Sequence, residues 1–350
     1  MPISCTIPCN LCDSQDVALL SEKSRSGKPL RTVICKDCGL VWSDPRPHNA
    51  DQFYREHYRI AYKNTYTPRL KHILRAGKVA LSRLARIRPL LSSPKILLDV
   101  GSGGGEFAYL LASLGHRVTG IEPNRGYAEY AVTHYGVTAH IGRVQDSALP
   151  PGIFDVITIW HVLEHLEDPR AVLKRLHSWL KPDGVLIVEV PNVEATCQSP
   201  KSTFHEAHLY NFNVATLRRL ATLTGFDEAS HALSSDGGNL TMRLTRSHSD
   251  PDIPYEAAIP GNCKRISAIV RDHRAWRHAL TLTPYRRAYE RLRRAIAERR
   301  ETAGVLGPKH LLDTLYRDAL TPSSPETTLS PSASDTPPAC EGFALQQYRP

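Results

Sequence analysis

The chain has 350 residues, of which 41% are hydrophobic, so it can bury a substantial core and is neither collagen-like nor wholly disordered. Its first residues lack the basic start and apolar run of a signal peptide, and no segment approaches the roughly 18 to 20 apolar residues that span a bilayer. We therefore expect a cytoplasmic protein without a membrane span. The formal charge of +9 leaves nucleic acid, acidic sugar nucleotides and a membrane surface open as partners.

Two Cys-x-x-Cys pairs stand near the start of the chain. They are Cys9 with Cys12 and Cys35 with Cys38, separated by a polar stretch and a strand-like segment. Four thiolates in this arrangement suit a tetrahedral zinc ion. A reducing compartment disfavours disulfides, and two pairs together disfavour a redox dithiol. We predict a zinc-binding module over residues 1–48, in which the closed zinc site is structural rather than catalytic.

Residues 49–94 are predicted to form a helical linker or lid. Tyrosines recur every four residues in its first part, which is typical of helical packing: Tyr54, Tyr58, Tyr62 and Tyr66. The alternative is an aromatic lid in which His57 and Tyr58 reach a substrate. Residues 70–84 then place apolar side chains on one face of a basic helix. That helix is expected to pack on the next domain rather than lie on a membrane, since Gly77 interrupts it and bulky anchors are few.

Strand-like and helical segments alternate through residues 95–247. The strand-like segments are 96–100, 117–121, 137–141, 154–160 and 185–190, and the helical ones include 106–114, 125–135 and 170–180. Such alternation predicts a parallel sheet with crossover helices. Near the end of this domain, Asn213 can cap a helix, and residues 226–233 and 239–245 suit a closing antiparallel hairpin.

The remainder of the chain changes in composition. Residues 248–320 are predicted to form a helical extension rich in arginine, with helices near 266–280, 285–300 and 309–320. Their basic faces are expected to be mostly solvated. Residues 321–350 contain too few apolar side chains to order themselves and are predicted to form a disordered tail.

A glycine-rich turn follows the first strand of the central domain. Asp99 precedes it, and Gly101, Gly103 and Gly105 stand at alternate positions before a helical segment. Glycines let the backbone approach a ligand, and the start of a helix offers unpaired N–H groups, so the pattern predicts a nucleotide cradle. A dinucleotide fingerprint would need glycine where Glu106 stands, which weakens an NAD interpretation.

Two further polar positions follow the second and third strands. Glu122 stands about 20 residues after the turn, where a carboxylate can accept hydrogen bonds from ribose hydroxyls. By itself this position also fits NAD or a solvated turn. Gln145 and Asp146 lie in a short polar loop after the third strand.

The motifs together resemble a known family. The G-x-G-x-G turn is similar to motif I of class I S-adenosylmethionine-dependent methyltransferases. Residues 154–192, with H-x-L-E-H-L-x-D-P, L-K-P-D-G and a final P-N, resemble the ubiquinone O-methyltransferase group. With the cysteine pairs, the chain resembles bacterial methyltransferases that carry an N-terminal zinc-binding domain, some of which act on sugars. The resemblance covers roughly residues 9–245. Related deoxysugar C-methyltransferases have a further C-terminal α/β domain where this chain has helices, so a sugar substrate does not follow.

The resemblance implies a Rossmann-like α/β fold with a seven-stranded methyltransferase sheet, beside the zinc module and the helical extension. It also implies the residues that bind S-adenosyl-L-methionine: Asp99, Gly101, Ser102, Gly103, Gly105, Glu122, Pro123, Gln145, Asp146, Trp160 and His161. The loop after the fifth strand resembles the family's histidine-containing substrate loop. His205 and His208 are therefore the candidate general bases, with Glu206 as an orienting partner. His165 is expected to brace the neighbouring loop.

Three hypotheses about function follow. The first is methyl transfer to a hydroxyl or carbon of a small metabolite, with sugars and secondary metabolites among the candidate acceptors. The second is an RNA methyltransferase that docks through the zinc module and basic helices, although the module has few stacking aromatics. The third is a non-catalytic protein that binds the cofactor. The sequence does not specify the acceptor, the methylated atom or the oligomeric state.

Overall fold

The structure is a computed structural model that describes residues 6–45, 68–247 and 258–321. Its strands are Val17–Lys23 (β1), Pro29–Cys35 (β2), Val41–Ser43 (β3), Ile96–Val100 (β4), Arg117–Glu122 (β5), Thr138–Ile141 (β6), Phe154–Trp160 (β7), Leu180–Pro191 (β8), Tyr210–Asn211 (β9), Phe226–Leu233 (β10) and Asn239–Arg246 (β11). Its α-helices are Leu70–Ile87 (α1), Glu106–Ser113 (α2), Arg125–Tyr135 (α3), Pro169–Trp179 (α4), Val214–Thr222 (α5), Asn262–Asp272 (α6), Ala275–Ala279 (α7), Thr283–Glu301 (α8) and Pro308–Leu320 (α9). The predicted tyrosine stripe, with His57 and Tyr58, and nearly all of the predicted tail lie outside the described residues.

A seven-stranded mixed sheet forms the centre of the molecule, in the order β10-β11-β8-β7-β4-β5-β6. The five strands from β8 to β6 run parallel, and β11 pairs antiparallel with both β8 and β10. The central parallel strands β4 and β7 read as nearly continuous apolar runs because helices cover both faces of such a sheet. This arrangement confirms the predicted Rossmann-like fold with its closing hairpin.

Two of the predicted elements differ from the structure by more than a residue or two at their ends. The segment L-K-P-D-G does not form a separate turn, because β8 begins at Leu180 directly after α4 ends at Trp179. The single helix predicted over 266–280 is two helices, α6 and α7. Arg274, which precedes α7, has an extended backbone with φ −98° and ψ 146°, and this interrupts the helical hydrogen bonding.

The N-terminal module is a second sheet that includes a strand from the central domain. Its order is β1-β2-β3-β9, and β3 pairs antiparallel with β9 so that Val41 faces Asn211 and Trp42 faces Tyr210. Trp42 and Tyr210 are both buried. Because β9 ends the long loop after β8, the module holds that loop directly.

Helix α1 joins the central sheet to the C-terminal helix α9. It continues through Gly77, where a Cβ atom would stand only 2.6 Å from Leu315 and 2.8 Å from Leu312 of α9. Glycine therefore permits the close approach of the two helices. Tyr316 of α9 is buried, and its hydroxyl donates a hydrogen bond to the Glu106 carbonyl oxygen at 3.0 Å.

The C-terminal helices differ in how deeply they are buried. Helix α9 buries Leu311, Leu312 and Tyr316, whereas α8 buries only Glu298 among its 19 residues. No helix in the three described ranges is both long and apolar enough to cross a membrane.

Candidate active site

The glycine turn connects the end of β4 to the start of α2. Gly101, Gly103 and Gly105 have φ angles of 75°, 61° and 84°, which glycine adopts without strain. A side chain at Gly101 would also collide with Val162, which follows β7. The turn therefore keeps its backbone close to the neighbouring strand ends, and the first N–H groups of α2 begin beside it.

Glu122 braces this turn from the end of β5. One carboxylate oxygen accepts a hydrogen bond from the Gly103 N–H at 2.8 Å, and the other accepts from the Asn124 N–H at 3.0 Å. Asn124 in turn caps α3 by accepting from the Tyr127 N–H at 3.1 Å. The carboxylate is thus fixed where β4 and β5 end, and its contact with a ribose remains a prediction.

A cavity of about 630 Å³ opens above the carboxyl ends of β4, β5 and β7. Ligands of parallel α/β sheets bind at this edge. The cavity is lined by eight of the predicted cofactor residues: Gly101, Ser102, Gly103, Glu122, Pro123, Gln145, Trp160 and His161. The other three predicted cofactor residues, Asp99, Gly105 and Asp146, are not among its lining residues. Asp146 instead forms two hydrogen bonds with Arg143, at 2.6 and 3.0 Å.

Four buried polar atoms around this cavity have no hydrogen-bond partner among the described residues. They are Arg83 Nε, Ser102 Oγ, Gln145 Oε1 and Trp160 Nε1. Buried donors and acceptors are normally satisfied in a folded protein. A polar ligand with both donor and acceptor groups would satisfy these atoms, so the cavity fits a cofactor of the predicted kind.

Helix α1 forms a wall of the cavity that the sequence analysis did not identify. His72, Arg75, Val79 and Arg83 all line the cavity. The Arg83 guanidinium lies 5.0 Å from the centre of the Trp160 ring, and burial lowers its pKa. The amphipathic pattern of α1 indicates a buried face, but it does not identify the surface against which that face packs.

Asp99 lies beneath the turn rather than in the cavity. It is buried and accepts a hydrogen bond from the Thr158 hydroxyl at 2.8 Å. Burial raises its pKa to about 6, despite the opposing effects of Arg83 and of the hydrogen bond from Thr158. The ionised carboxylate in this position therefore lowers the stability of the folded protein near neutral pH.

His161 enters the cavity directly after β7. Its φ angle is 55°, an uncommon value for a residue with a side chain. Its Nε2 lies 3.2 Å from a Glu189 oxygen and its Nδ1 lies 3.5 Å from a Glu164 oxygen. Burial lowers the pKa of His161, but the two carboxylates outweigh burial and raise it to about 9. His161 is therefore a cationic hydrogen-bond donor at neutral pH.

The two candidate bases lie behind His165, which itself lines the cavity. The His165 and His208 rings are 4.8 Å apart between centres, and the His205 ring is stacked on His208 at 4.8 Å. His165 Nδ1 is 2.7 Å from the Ala207 carbonyl oxygen, to which it donates. Neither His205 nor His208 is among the lining residues of the cavity. Burial lowers the pKa of His205 to about 4 and that of His208 to about 3, so both are neutral at neutral pH.

Glu206 contacts the N-terminal module. Its Oε1 accepts hydrogen bonds from the hydroxyls of Ser24, at 2.6 Å, and Ser26. His205 Nδ1 accepts from the Ala207 N–H at 2.9 Å and lies 4.0 Å from Glu206 Oε2. In this geometry Glu206 ties the histidine loop to the β1–β2 hairpin, and His205 Nδ1 has a backbone partner instead of the carboxylate.

Among the residues that the structure describes, two groups of side chains have the chemistry to hold a metal ion. The sulfur atoms of Cys9, Cys12, Cys35 and Cys38 all lie within 4.8 Å of one another, and the Cys9–Cys38 and Cys12–Cys35 separations are 3.5 and 3.4 Å. Four sulfurs at this spacing fit the corners of a zinc tetrahedron. A second set, with one carboxylate and two imidazoles, also has its donor atoms within 4.8 Å: Glu164, His165 and His208.

Comparison with known proteins places the cavity in a recognised domain. The methyltransferase-domain family model matches residues 70–231, beginning at the first residue of α1. The chain is 37% identical over 108 residues to the ubiquinone biosynthesis O-methyltransferase of Haemophilus ducreyi, covering 28% of this chain and 46% of that protein. It is 34% identical over 129 residues to the mitochondrial ubiquinone biosynthesis O-methyltransferase of Schizosaccharomyces pombe, covering 34% of this chain and 46% of the relative.

Among solved structures, magnesium protoporphyrin IX methyltransferase from Synechocystis with bound S-adenosylhomocysteine is similar at a TM-score of 0.45 and 17% identity, covering 56% of this chain and 97% of that one. The chain spans about half the length of the curated relatives that it matches. The family match covers the glycine turn and the five parallel strands of the sheet. Residues 70–231 of the chain therefore match a methyltransferase domain.

Proposed function

We propose that this protein transfers a methyl group from S-adenosyl-L-methionine to a hydroxyl or carbon of a small-molecule acceptor. The unsatisfied polar atoms around the cavity are the observation that carries the proposal, because the cavity holds both donors and acceptors without partners beside the glycine turn. The matched relatives are named as O-methyltransferases, which favours a hydroxyl acceptor. Sugars and secondary metabolites remain candidate acceptors.

The cofactor supplies a methyl group that is already activated on a sulfonium. The protein must therefore bind the cofactor and the acceptor, align them, and remove a proton from the acceptor. Glu122 is assigned to the ribose hydroxyls, and Gln145 to the adenine. Arg83 is assigned to the carboxylate of the cofactor, since its guanidinium faces the cavity and its Nε–H has no partner in the described part of the chain. His161, as a cation held by Glu164 and Glu189, is assigned to hydrogen bonding rather than to proton removal.

His205 and His208 remain the proposed bases. Because they stack behind His165, which lines the cavity, His165 would have to accept the acceptor's proton at its Nε2 and pass it on to them. Their lowered pKa values keep them neutral and able to accept a proton, but make them weak bases. This site therefore suits an acidic acceptor, such as a phenolic hydroxyl or an activated carbon acid, better than an alkyl hydroxyl.

Two measurements test cofactor binding and the class of acceptor separately. Calorimetry with S-adenosylhomocysteine should give a measurable heat of binding, and its absence would favour a scaffold role. Methyl-labelled cofactor is then incubated with separate small-molecule, nucleic-acid and protein pools from the source cells. Label in the nucleic-acid pool, lost on nuclease treatment, would support the RNA alternative instead.

Replacing both candidate bases should separate binding from transfer. We expect the His205→Ala, His208→Ala double variant to lose at least about a hundredfold in transfer rate, since general bases contribute on that order. Binding of S-adenosylhomocysteine should stay within a few-fold, because neither residue lines the cavity. His134→Ala, on an exposed part of α3, is the matched control. Unchanged turnover in the double variant excludes these two residues as the base.

We also propose that the four cysteines hold a structural zinc ion. The sulfur spacing supports this assignment, and the site offers four protein ligands, so it leaves no position for a reacting water. Its expected effect is to fix the fold of the module rather than to take part in methyl transfer.

A further inference from the structure

Helix α8 directs its apolar side away from the protein. Four of its side chains are spaced four, three and four residues apart, so they form one narrow line along the helix. We call this line the exposed stripe: Tyr285, Tyr289, Leu292 and Ile296. Its members are between 46% and 66% exposed. A helix that packs on a soluble domain normally buries such a line.

The opposite side of α8 attaches to the protein through charged groups. Glu298, the one buried residue of this helix, forms paired hydrogen bonds with Arg75 of α1, and its Oε2 lies 2.6 Å from Arg75 Nη2. Arg287 Nη2 donates to Asp236 Oδ2 at 2.7 Å. The usual orientation of an amphipathic helix is therefore reversed, since ion pairs face inward and apolar side chains face outward.

The surroundings of the exposed stripe are strongly basic. Residues 262–301 contain twelve Lys and Arg against four Asp and Glu, a net charge of +8 in a chain whose total is +9. Helix α8 itself has seven arginines against three glutamates. Further apolar side chains are exposed just before this helix: Trp276, Leu280 and Leu282.

We propose that the exposed stripe of α8 docks on an anionic lipid surface, lying in the plane of the membrane interface. A second copy of the chain would bring two helices of net charge +4 against each other, which is unfavourable. Nucleic acid would satisfy the arginines but leave the apolar side chains in water. An anionic bilayer meets both requirements, because its headgroups neutralise arginine while its interface accepts tyrosine, leucine and isoleucine.

This proposal is independent of the acceptor and of methyl transfer, so its test needs only the full-length chain. We would sediment the protein with vesicles of equal parts phosphatidylglycerol and phosphatidylcholine, and with vesicles of phosphatidylcholine alone. We expect binding to the anionic vesicles, much weaker binding to the neutral ones, and release as NaCl is raised to about 0.5 M.

Two double variants assign the binding to the exposed stripe. Leu292→Ser with Ile296→Ser should lower the partition coefficient by at least about tenfold, because two apolar side chains no longer enter the interface. Val132→Ser with Leu233→Ser removes two apolar side chains of similar exposure elsewhere and should bind as the parent does. Circular dichroism and thermal melting should agree among all three proteins, since every changed residue is exposed.

Three results would overturn the proposal. One is no sedimentation with anionic vesicles. The second is equal binding by the stripe variant and the parent. The third is a parent that elutes as a dimer and binds no vesicles while the stripe variant elutes as a monomer, which would assign the stripe to self-association.

Discussion

At the scale of single residues, Asp99 is a buried carboxyl group whose charge lowers the stability of the folded protein. Its carboxyl group is buried between Thr158 and Arg83, and one of its oxygens has no hydrogen-bond partner among the described residues. Burial raises its pKa to about 6, above the ordinary value of 3.8. When the pKa of a carboxyl group is higher in the folded state than in the unfolded state, the protein loses stability as the pH rises between the two pKa values, here from about 4 to about 6.

We therefore expect Asp99→Asn to stabilise the protein near neutral pH. The amide oxygen can still accept the hydrogen bond from Thr158, whereas the buried charge is removed. The gain should be near zero at pH 4 and reach up to about 3 kcal/mol above pH 6. Urea unfolding of parent and variant at pH 4, 5, 6 and 7.5 measures this difference. A difference that stays constant with pH would contradict the assignment.

Several site residues were predictable because their signal is local. The turn of Gly101, Gly103 and Gly105 and the position of Glu122 follow from spacing along one strand-turn-helix unit, and the structure brings them together. Arg83 was not predictable in this way. It reaches the cavity from a helix outside that unit, and only tertiary packing places its guanidinium over Trp160.

At the scale of elements, the N-terminal module supports the histidine loop. Strand β3 pairs with β9 at the end of that loop, and the β1–β2 hairpin holds Glu206 through Ser24 and Ser26. Local signals predicted the cap of α5, where Asn213 accepts from the Thr216 N–H at 3.0 Å. They could not predict β9, because a two-residue strand has no periodicity and its partner is about 170 residues distant in sequence.

This connection predicts that zinc removal affects transfer more than cofactor binding. We expect one zinc per chain in protein purified without added metal, and release of that zinc in the Cys12→Ser, Cys35→Ser variant. Methyl transfer should fall at least about tenfold as the loop loses its support, while affinity for S-adenosylhomocysteine stays within about fivefold, since no module residue lines the cavity. Metal analysis and calorimetry are the measurements. Ser82→Ala, on the exposed side of α1, is the control, and full transfer by the zinc-free variant would contradict the prediction.

At the scale of the whole molecule, the C-terminal helices divide into two kinds that the periodicity of their apolar residues does not distinguish. Both α8 and α9 are amphipathic, although α8 has seven arginines against three glutamates and α9 has two basic residues against two acidic ones. Nevertheless α9 buries its apolar side against α1, whereas α8 exposes its own. Periodicity identifies an apolar face, but whether this face is covered depends on surfaces made by distant parts of the chain, such as the gap left by Gly77.

Helix α9 should consequently be required for the methyltransferase domain. A chain ending at Leu306 loses Leu311, Leu312 and Tyr316, which are all buried against α1 and α2. Burial of three such side chains contributes roughly 5 kcal/mol or more, which is comparable with the total stability of many domains. We expect the melting temperature of the chain ending at Leu306 to be lower than that of the full chain by at least about 10 °C. This truncated chain should also lose its affinity for S-adenosylhomocysteine, because α1, against which α9 packs, lines the cavity.

The matched control for this truncation is a chain ending at Thr321, which keeps α9 and removes only the residues after it. Differential scanning fluorimetry and calorimetry with S-adenosylhomocysteine would compare both chains with the full-length protein. We expect the control to melt and bind as the full-length protein does. If the chain ending at Leu306 also melts within about 2 °C of the full-length protein and binds S-adenosylhomocysteine normally, α1 holds its position without α9. In that case the wall of the cavity would depend on α2 and the sheet alone.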